Sequence, residues 1–227
     1  MAVDVLVDLR PQFGSVRDQG SRPTCMAFAA SDAHAGVRDE WKPLSCEFIF
    51  FKAQARARKP PTVGASLAAM LEALKLDGQP LEAGWPYLVL PPTDPATWQP
   101  PSAVGPLYAR NSLQTGFALD PVLANLDRGI PIILLSFLSA SFYQPPKDAV
   151  VAPATGELPD PNIRHAVIAV GHGLWNGQRV VLIRNSWGSL WGDEGHAWLT
   201  EAFLGPRLFR AAILTENVDV LADPIAA

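Results

Sequence analysis

The spacing of apolar residues changes midway along the chain, and this change limits the folds that the chain can adopt. Up to about Trp85 the spacing is helical, as in "SLAAMLEALKLDG", where Ser66 can cap the start of a helix and Gly78 can end it. From about Leu107 onward, short β-branched or aromatic runs such as "IPIILLSFL" and "RVVLIRNSWG" alternate with glycines. A helical half followed by a strand half predicts an α+β protein.

A proline-dense connector separates the two halves. It reads "WPYLVLPPTDPATWQPPSAVGP" and runs from Trp85 to Pro106. Proline at this density excludes regular helix and the interior of a sheet. Because the segment also carries large aromatic residues, which favour burial, we predict an ordered loop that packs against the rest of the protein.

Composition and charge narrow the classes of function. Of the 227 residues, 48% are hydrophobic and 18% are charged, which is typical of a globular chain. The net charge of −4 gives no reason to expect nucleic acid or a membrane as a partner. The basic stretch from Lys52 to Pro60 is interpreted as a solvated face. The longest apolar run is far shorter than the roughly 20 residues of a membrane-spanning helix.

The chain has two cysteines, Cys25 and Cys46, and lacks the paired spacing of a metal or redox site. Two thiols cannot form a disulfide framework, and the first residues do not have the pattern of a secretory signal. We therefore expect a cytoplasmic protein, or one exported without a visible signal peptide. No metal and no other cofactor is expected, and Cys46 beside "FIFF" is interpreted as a buried thiol.

Cys25 lies where a charged loop meets a buried-looking helix, in "VRDQGSRPTCMAFAASDAHA". If Thr24 caps this helix, Cys25 occupies its first turn, where free backbone N–H groups and the helix dipole favour an anion. Such surroundings lower the pKa of a thiol and make it nucleophilic. A lone cysteine is more often a buried core residue, so the assignment depends on finding a base.

His165 and Asn185 are the candidates for the base and for the group that orients it. His165 begins the strand-like run "HAVIAVGHG", and Asn185 ends the run "RVVLIRN", so the two can lie on neighbouring strands. The Asn185 amide oxygen can accept from the imidazole and fix its tautomer, and Trp187 can shield this bond from water. Gln19, on the loop before the helix, can combine its side-chain N–H with the backbone N–H of Cys25 into an oxyanion hole.

These residues stand in stretches that resemble the motifs of the papain-like cysteine peptidases. His165 and Asn185 follow Cys25 by 140 and 160 residues, near the roughly 130–150 typical of that family. The resemblance covers nearly the whole chain, from about Val7 to about Ala212. The matching stretches are "DQGS" with Gln19, "C.AFA" with Cys25, "EAGWPY" from Glu82 to Tyr87, "HAV" with His165, and "NSW" followed by "WG..G" with Asn185.

The resemblance implies a papain-like two-lobed fold, with a helical left lobe, an antiparallel β-barrel right lobe and the active-site cleft between them. It divides the chain into a single catalytic domain, 1–215, and a C-terminal tail, 216–227. Within the domain, the helical lobe with Cys25 is expected at about 13–105, and the β lobe with the base at about 106–215.

The resemblance also implies a mechanism, that of a cysteine-type peptidase acting on peptide or protein substrates. Cys25 attacks a peptide carbonyl and forms a thioester, while Gln19 stabilises the oxyanion. His165, oriented by Asn185 and shielded by Trp187, acts as acid and base. Water then hydrolyses the thioester.

The chain departs from the family pattern around the cleft. Arg22 stands where secreted members carry a disulfide cysteine, and Met26 replaces an aromatic residue. The glycine segment of the cleft is reduced to "TVGAS", in which Gly64 and Ala65 are the expected substrate-binding residues. Arg164 replaces an acid before the base. It is interpreted either as a solvated strand-edge residue or as a cation in the substrate site that disfavours the imidazolium and shifts the pH profile of activity.

The family usually blocks its cleft with an N-terminal inhibitory segment, and the chain begins at what looks like the mature start. A separate inhibitor or regulatory partner is therefore expected, and the Ala-, Pro- and Arg-rich composition favours a bacterial protein. Two other functions stay open. One is an acyl transferase or peptide ligase that passes the thioester to an amine, and the other is a catalytically silent module that binds peptides.

Overall fold

The computed structural model describes residues 2–92 and 94–218, which include both predicted halves. The helices are α1 (Cys25–Gly36), α2 (Cys46–Ala57), α3 (Leu67–Leu76), α4 (Leu119–Leu126), α5 (Ala140–Tyr143) and α6 (Glu201–Leu204). The strands are β1 (Asp4–Asp8), β2 (Ala109–Thr115), β3 (Ile132–Leu138), β4 (Val150–Val151), β5 (Asp160–Trp175), β6 (Gln178–Arg184), β7 (His196–Thr200) and β8 (Leu208–Val218). The three longest helices precede the connector and every strand except β1 follows it, which confirms the α+β class.

Helix α1 is the central helix of the fold. All of its residues after Cys25 are buried. It contacts α2, α3 and the strands β3, β5 and β8. An alanine-rich helix with few polar side chains is expected to be buried in this way. Helix α1 therefore carries its first residue, Cys25, to the junction between the helices and the sheet.

Serine side chains cap the other two long helices. Ser45 accepts from the N–H of Phe48 at 3.0 Å at the start of α2. Ser66 accepts from the N–H of Ala69 at 3.3 Å at the start of α3. Gly78 follows the end of α3 with φ +66°, in the left-handed region that glycine adopts easily. The predicted start and stop of α3 are confirmed.

The strands form one sheet with the order β2-β8-β3-β5-β6-β7-β4, and β1 pairs with β5 outside this path. Neighbouring strands are antiparallel, except that β4 and β7 are parallel. Within the described residues, the end strands β2 and β4 do not pair with each other. The predicted β half is thus a mainly antiparallel sheet in which β3 and β5 lie at the centre.

Strand pairing also bears on the expected domain limits. Strand β1 pairs with β5, so the N-terminal segment contributes to the sheet. Strand β8 extends past residue 215 to Val218, which pairs with Ala109 of β2. Residues 219–227, the rest of the expected tail, lie outside the described residues. The division into one catalytic domain with two lobes stays a proposal.

The described part of the connector packs against the rest of the protein through its aromatic residues, as predicted. Trp85 and Trp98 are buried. The ring of Phe51, on α2, lies 5.6 Å from that of Trp85 and 5.1 Å from that of Trp98. The connector is therefore packed onto α2. Among the described residues, no helix combines the length and the apolar character needed to cross a bilayer.

Candidate active site

Cys25 and His165 line the same cleft between the helices and the sheet. Cys25 is half-buried at the start of α1, whereas His165 is buried on β5. The cleft has a volume of about 610 Å³, and its other walls come from the segment before α3 and from β2, β3 and β8. A larger hollow of about 810 Å³ beside Tyr108 contains neither residue. The fold therefore brings together the two residues that the motifs single out.

The side chain of Thr24 does not cap α1, although Thr24 occupies the N-cap position. Its hydroxyl bonds instead to the hydroxyl of Tyr87 at 2.8 Å. The expectation that Thr24 caps the helix through its side chain is therefore wrong. The N–H of Ala27, in the first turn of α1, donates instead to the backbone carbonyl oxygen of Thr24 at 2.9 Å.

Burial raises the pKa of the Cys25 thiol, because a thiolate would lose its hydration in the cleft. The backbone N–H groups of Ala166, Met26 and Cys25 itself act in the opposite direction. The sequence-based expectation of a lowered pKa considered only the helix start, and burial outweighs it. Burial by itself therefore favours the neutral thiol over the thiolate.

The Asn185 side chain fixes the tautomer of His165. Asn185 Oδ1 lies 2.7 Å from His165 Nε2, and the same oxygen accepts from the backbone N–H of Ser186 at 2.8 Å. A backbone N–H can only donate, so the atom facing the imidazole is the amide oxygen. His165 Nε2 must then carry the proton and donate it, which leaves Nδ1 as the acceptor.

His165 lies within β5, five residues after its first residue, and not at the start of a strand as expected. The strand begins at Asp160, because the polar segment before His165 also pairs with β3. Burial lowers the pKa of the imidazole to about 4, and the hydrogen bond that His165 donates to Asn185 acts in the opposite direction. Asn185 was expected to end a neighbouring strand, but β6, which pairs with β5, ends at Arg184, so Asn185 is the first residue after that strand.

Trp187 and Phe142 cover the imidazole. The ring of Trp187 lies 4.7 Å from that of His165, and the ring of Phe142 lies 5.8 Å from it. Tyr143 stacks on the outer side of this group, with its ring 5.7 Å from that of Trp187. Trp187 therefore lies against the imidazole, where it was expected to shield the bond to Asn185 from water, and Phe142 lies against the same ring.

Gln19 is buried and held by bonds to both ends of its amide. Its Oε1 accepts from the hydroxyl of Ser186 at 2.7 Å, and its Nε2 donates to the carbonyl oxygen of Arg22 at 2.8 Å. These partners place the amide nitrogen on the side of the loop that leads to Cys25. One N–H of Nε2 remains for a further acceptor.

Two residues that hold Gln19 were not identified from the sequence. Ser186 fixes the side chain, and its carbonyl oxygen also accepts from the backbone N–H of Gln19 at 2.8 Å. Tyr87 donates from its hydroxyl to the carbonyl oxygen of Gln19 at 2.8 Å. Ser186 stands in the motif "NSW" and Tyr87 in the motif "EAGWPY". Their positions in these motifs could have identified them from the sequence.

The three expected substrate-binding residues, Gly64, Ala65 and Arg164, all line the cleft. The guanidinium of Arg164 lies over the ring of Phe137, 5.8 Å from its centre. The pKa of His165 depends on burial and on Asn185, and Arg164 is not among its causes. Arg164 is exposed, and it lines the cleft.

Arg22 forms a buried ion pair. Its Nη1 and Nη2 donate to the two carboxylate oxygens of Glu47 at 2.6 Å and 3.0 Å. The indole N–H of Trp98 also donates to Glu47, at 2.7 Å. The pair thus links the loop before Cys25 to α2 and to the connector.

Cys25 and Cys46 are both free thiols.

The described residues contain no group of three or more His, Cys, Asp or Glu side chains that could hold a metal ion. Cys46 is fully buried, and burial raises the pKa of its thiol to about 12. The prediction that Cys46 is a buried thiol is confirmed.

Comparison with known families and proteins adds to this geometry. Residues 133–203, about a third of the chain, match the family model described as "Papain family cysteine protease". Cathepsin K from Gallus gallus is 36% identical over 81 residues, which are 36% of this chain and 21% of that protein. The chain thus spans about a fifth or less of the length of the curated relatives that it matches first.

Solved structures extend the similarity to the whole fold. Xylellain, a cysteine protease from Xylella fastidiosa, has a TM-score of 0.76 and 23% identity, covering 94% of this chain and 87% of xylellain. The Carica candamarcensis cysteine protease CMS1MS2, in complex with E-64, has a TM-score of 0.72 and 20% identity, covering 93% of this chain and 98% of that chain. The papain-like fold and the resemblance to the papain family are therefore confirmed.

Proposed function

We propose that the chain is a cysteine-type peptidase that hydrolyses peptide bonds through a thioester on Cys25. The observation that carries the proposal is the 2.7 Å bond between His165 Nε2 and Asn185 Oδ1, in a cleft that Cys25 also lines. It leaves Nδ1 of His165 as a proton acceptor on the same cleft. A thiol with a base whose tautomer is fixed by a third group is the arrangement that nucleophilic catalysis needs.

Attack on the substrate begins with proton transfer from Cys25 to Nδ1 of His165. Burial raises the pKa of the thiol and lowers that of the imidazole, so neither group becomes charged alone. In the proposed step the thiolate and the imidazolium form together, and each offsets the lost hydration of the other. The thiolate sulfur then forms a bond to the carbonyl carbon of the peptide.

The carbonyl oxygen becomes an oxyanion, which accepts from the free N–H of Gln19 Nε2 and from the backbone N–H of Cys25. As the oxyanion collapses, the C–N bond breaks and the imidazolium of His165 gives its proton to the leaving amine. A thioester remains on Cys25. Water, deprotonated by His165, attacks the thioester, releases the acid product and restores the thiol.

Product mass after incubation with unlabelled peptides tests this proposal. We expect two fragments whose masses together equal that of the peptide plus one water. The fragments should be absent with Cys25→Ser and retained with Cys46→Ser, which removes the other, buried thiol. A joined product would favour acyl transfer, and a peptide that binds unchanged to the folded chain would favour a silent binding module. Either result would contradict the proposal.

The finer aspects of the protein's setting are also proposals. The two free thiols, with the buried ion pair of Arg22 in place of a cysteine, support a cytoplasmic location or export without disulfide formation. The similarity to xylellain, a protein of Xylella fastidiosa, supports a bacterial source. The substrate would be a peptide or protein, and a separate inhibitor or regulatory partner would control the cleft.

A further inference from the structure

The cleft beside Cys25 is cationic, although the chain as a whole is acidic. Lys59, Arg164 and Arg210 line it, and no aspartate or glutamate does. Within the described residues, none of these three cations forms a salt bridge, and all three are exposed. The net charge of the chain is −4, so the positive cleft is not part of a generally basic surface. A concave site lined by one sign of charge concentrates ligands of the opposite sign.

The register of the sheet sets the positions of the two arginines. Arg164 on β5 lies opposite Phe137 of β3, and Arg210 on β8 lies opposite Leu135 of β3. Cross-strand partners share a face of a sheet, and Leu135 and Phe137 are half-buried while Ser136 between them is buried. The arginines therefore flank an apolar strip, Leu135 and Phe137, on one face of the sheet, and Leu135 of this strip lines the cleft.

Aromatic stacking holds Arg164 over this strip. Its guanidinium lies 5.8 Å from the centre of the Phe137 ring and 5.9 Å from that of Phe209. The two rings stack with their centres 4.5 Å apart. The stack restricts the guanidinium to one region of the cleft and leaves its N–H groups free to donate to a ligand.

Lys59 brings a cation to the helical side of the same cleft. It follows α2, and its backbone N–H donates to the carbonyl oxygen of Gln54 at 2.9 Å. The side chain of Gln54 donates to the carbonyl oxygens of Pro60 and Val63, each at 2.7 Å. The loop is thereby held in place. Lys59 is exposed, in agreement with the solvated face expected for the Lys52 to Pro60 stretch, and it also lines the cleft.

We propose that this cleft selects peptides with an acidic side chain close to the bond that is cut, and that Arg164 and Arg210 determine this specificity. The inference rests on the proposed peptidase function and names its class of substrate. Arg164 precedes His165 directly, so a carboxylate that it binds lies near the reacting carbonyl. Leu135 and Phe209, which line the cleft beside the arginines, carry the aliphatic part of a glutamate, and the two guanidinium groups donate to its carboxylate.

Peptide binding to Cys25→Ala tests the inference without turnover. Fluorescence anisotropy would compare labelled peptides in which one position after another is glutamate or, in the matched peptide, glutamine. We expect one position at which glutamate binds about tenfold more tightly or better, because charge-assisted hydrogen bonds replace neutral ones. The difference should shrink as salt is raised.

Charge variants then assign the effect to the two arginines. Arg164→Gln and Arg210→Gln, each in Cys25→Ala, should reduce the preference for glutamate several-fold. Arg128→Gln, which removes an exposed cation outside the cleft, should retain it. Equal binding of both peptides, binding of neither, or an unchanged preference in both arginine variants would overturn the inference.

Alkylation of Cys25 in the native chain by a peptidyl epoxide separates this result from the proposed function. If Cys25 is alkylated but Cys25→Ala does not distinguish glutamate from glutamine, the specificity inference is overturned and the peptidase proposal stands. If Cys25→Ala selects glutamate but native Cys25 does not react, the anionic selectivity stands and the peptidase proposal fails.

Discussion

The oxygen of Asn185 decides which nitrogen of His165 is available to the thiol. This oxygen accepts a hydrogen bond from the N–H at Nε2 of the imidazole and another from the backbone N–H of Ser186. The neutral imidazole with its proton on Nε2 is the form that can accept from Cys25. One amide thus determines both the tautomer and the orientation of the base.

Asn185→Ala should lower kcat/KM for peptide hydrolysis about tenfold to hundredfold. The substitution removes the amide oxygen that accepts from His165 Nε2, which leaves the ring free to turn and to exchange tautomers. Asn111→Ala, on β2, is the matched control and should leave kcat/KM unchanged. An unaltered rate in Asn185→Ala would show that Asn185 does not position the base.

Burial of His165 should make the protein less stable in mild acid. Burial lowers the pKa of the folded imidazole from 6.5 to about 4. Between these two pH values the imidazole is protonated in the unfolded chain and neutral in the folded chain. The free energy of unfolding should therefore fall as the pH drops from about 6.5 to about 4, by up to about 1.4 kcal/mol per pH unit for this one group.

Urea unfolding at several pH values measures this slope. His165→Gln should show a shallower decline than the native chain between pH 6.5 and 4, because glutamine does not titrate. Cys25→Ser should keep the native slope. Parallel curves for His165→Gln and the native chain would mean that His165 is not buried in its neutral form.

Gln19→Ala should lower kcat about 100- to 1,000-fold, as expected for the loss of one oxyanion donor. Steady-state kinetics with a fluorogenic peptide measures the effect, and KM should change much less. Gln12→Ala, an exposed glutamine on the same N-terminal segment, is the control and should behave as the native chain. Ser186→Ala should give a smaller loss of kcat, because it removes only the donor that fixes the Gln19 amide.

At the scale of the elements, a buried ion pair holds the loop before α1. Arg22 and Glu47 are almost fully buried, and the carboxylate also accepts from Trp98 of the connector. Three segments therefore meet at Glu47. Removal of one member of such a pair leaves an uncompensated charge in the interior.

Arg22→Met should reduce the free energy of unfolding by about 3–5 kcal/mol, since it leaves Glu47 buried without its cation. Arg22→Met combined with Glu47→Gln should recover part of this loss, which urea unfolding of the single and double variants would show. Arg56→Met, which breaks a surface pair with Asp77, should cost no more than about 1 kcal/mol. If Arg22→Met reduced the free energy of unfolding no more than Arg56→Met does, the buried ion pair would not be holding the loop in place.

Elements with strong apolar signals were predictable from the sequence, and polar ones were not. Helix α3 was predictable because both of its boundary residues, Ser66 and Gly78, are of types that cap or end helices. Strand β2, "ARNSLQT", was not identified, because its side chains are mostly polar and only partly buried. Its strand conformation comes from pairing with β8, a partner about a hundred residues away in the chain.

At the scale of the whole molecule, one carboxylate joins the central helix to the sheet. Asp32 of α1 accepts from Nε of Arg17 at 3.0 Å and from Nε of Arg184, at the end of β6, at 2.8 Å. Arg184 also donates to the carbonyl oxygens of Gly14 and Ser15, at 2.8 Å and 2.7 Å. These bonds fix α1, which carries the thiol, relative to the strands that carry the base and its partner.

The candidate site was predictable to the level of its residues but not of its electrostatics. Gln19, Cys25, His165 and Asn185 could be identified because each stands in a short stretch with characteristic neighbours. The directions of the pKa shifts depend on burial, which the sequence does not contain. The cationic cleft depends on sheet register, because Arg164 and Arg210 are far apart in the chain and meet only through β3.

The central claim is that Cys25 and His165 act as an assembled nucleophile and base. Intact mass after incubation with a peptidyl epoxide that alkylates activated thiols tests it most directly. The account predicts a single adduct, absent in Cys25→Ser, retained in Cys46→Ser, and formed more slowly in His165→Ala. A folded native chain that gains no adduct, or an adduct that forms equally fast without His165, would contradict it.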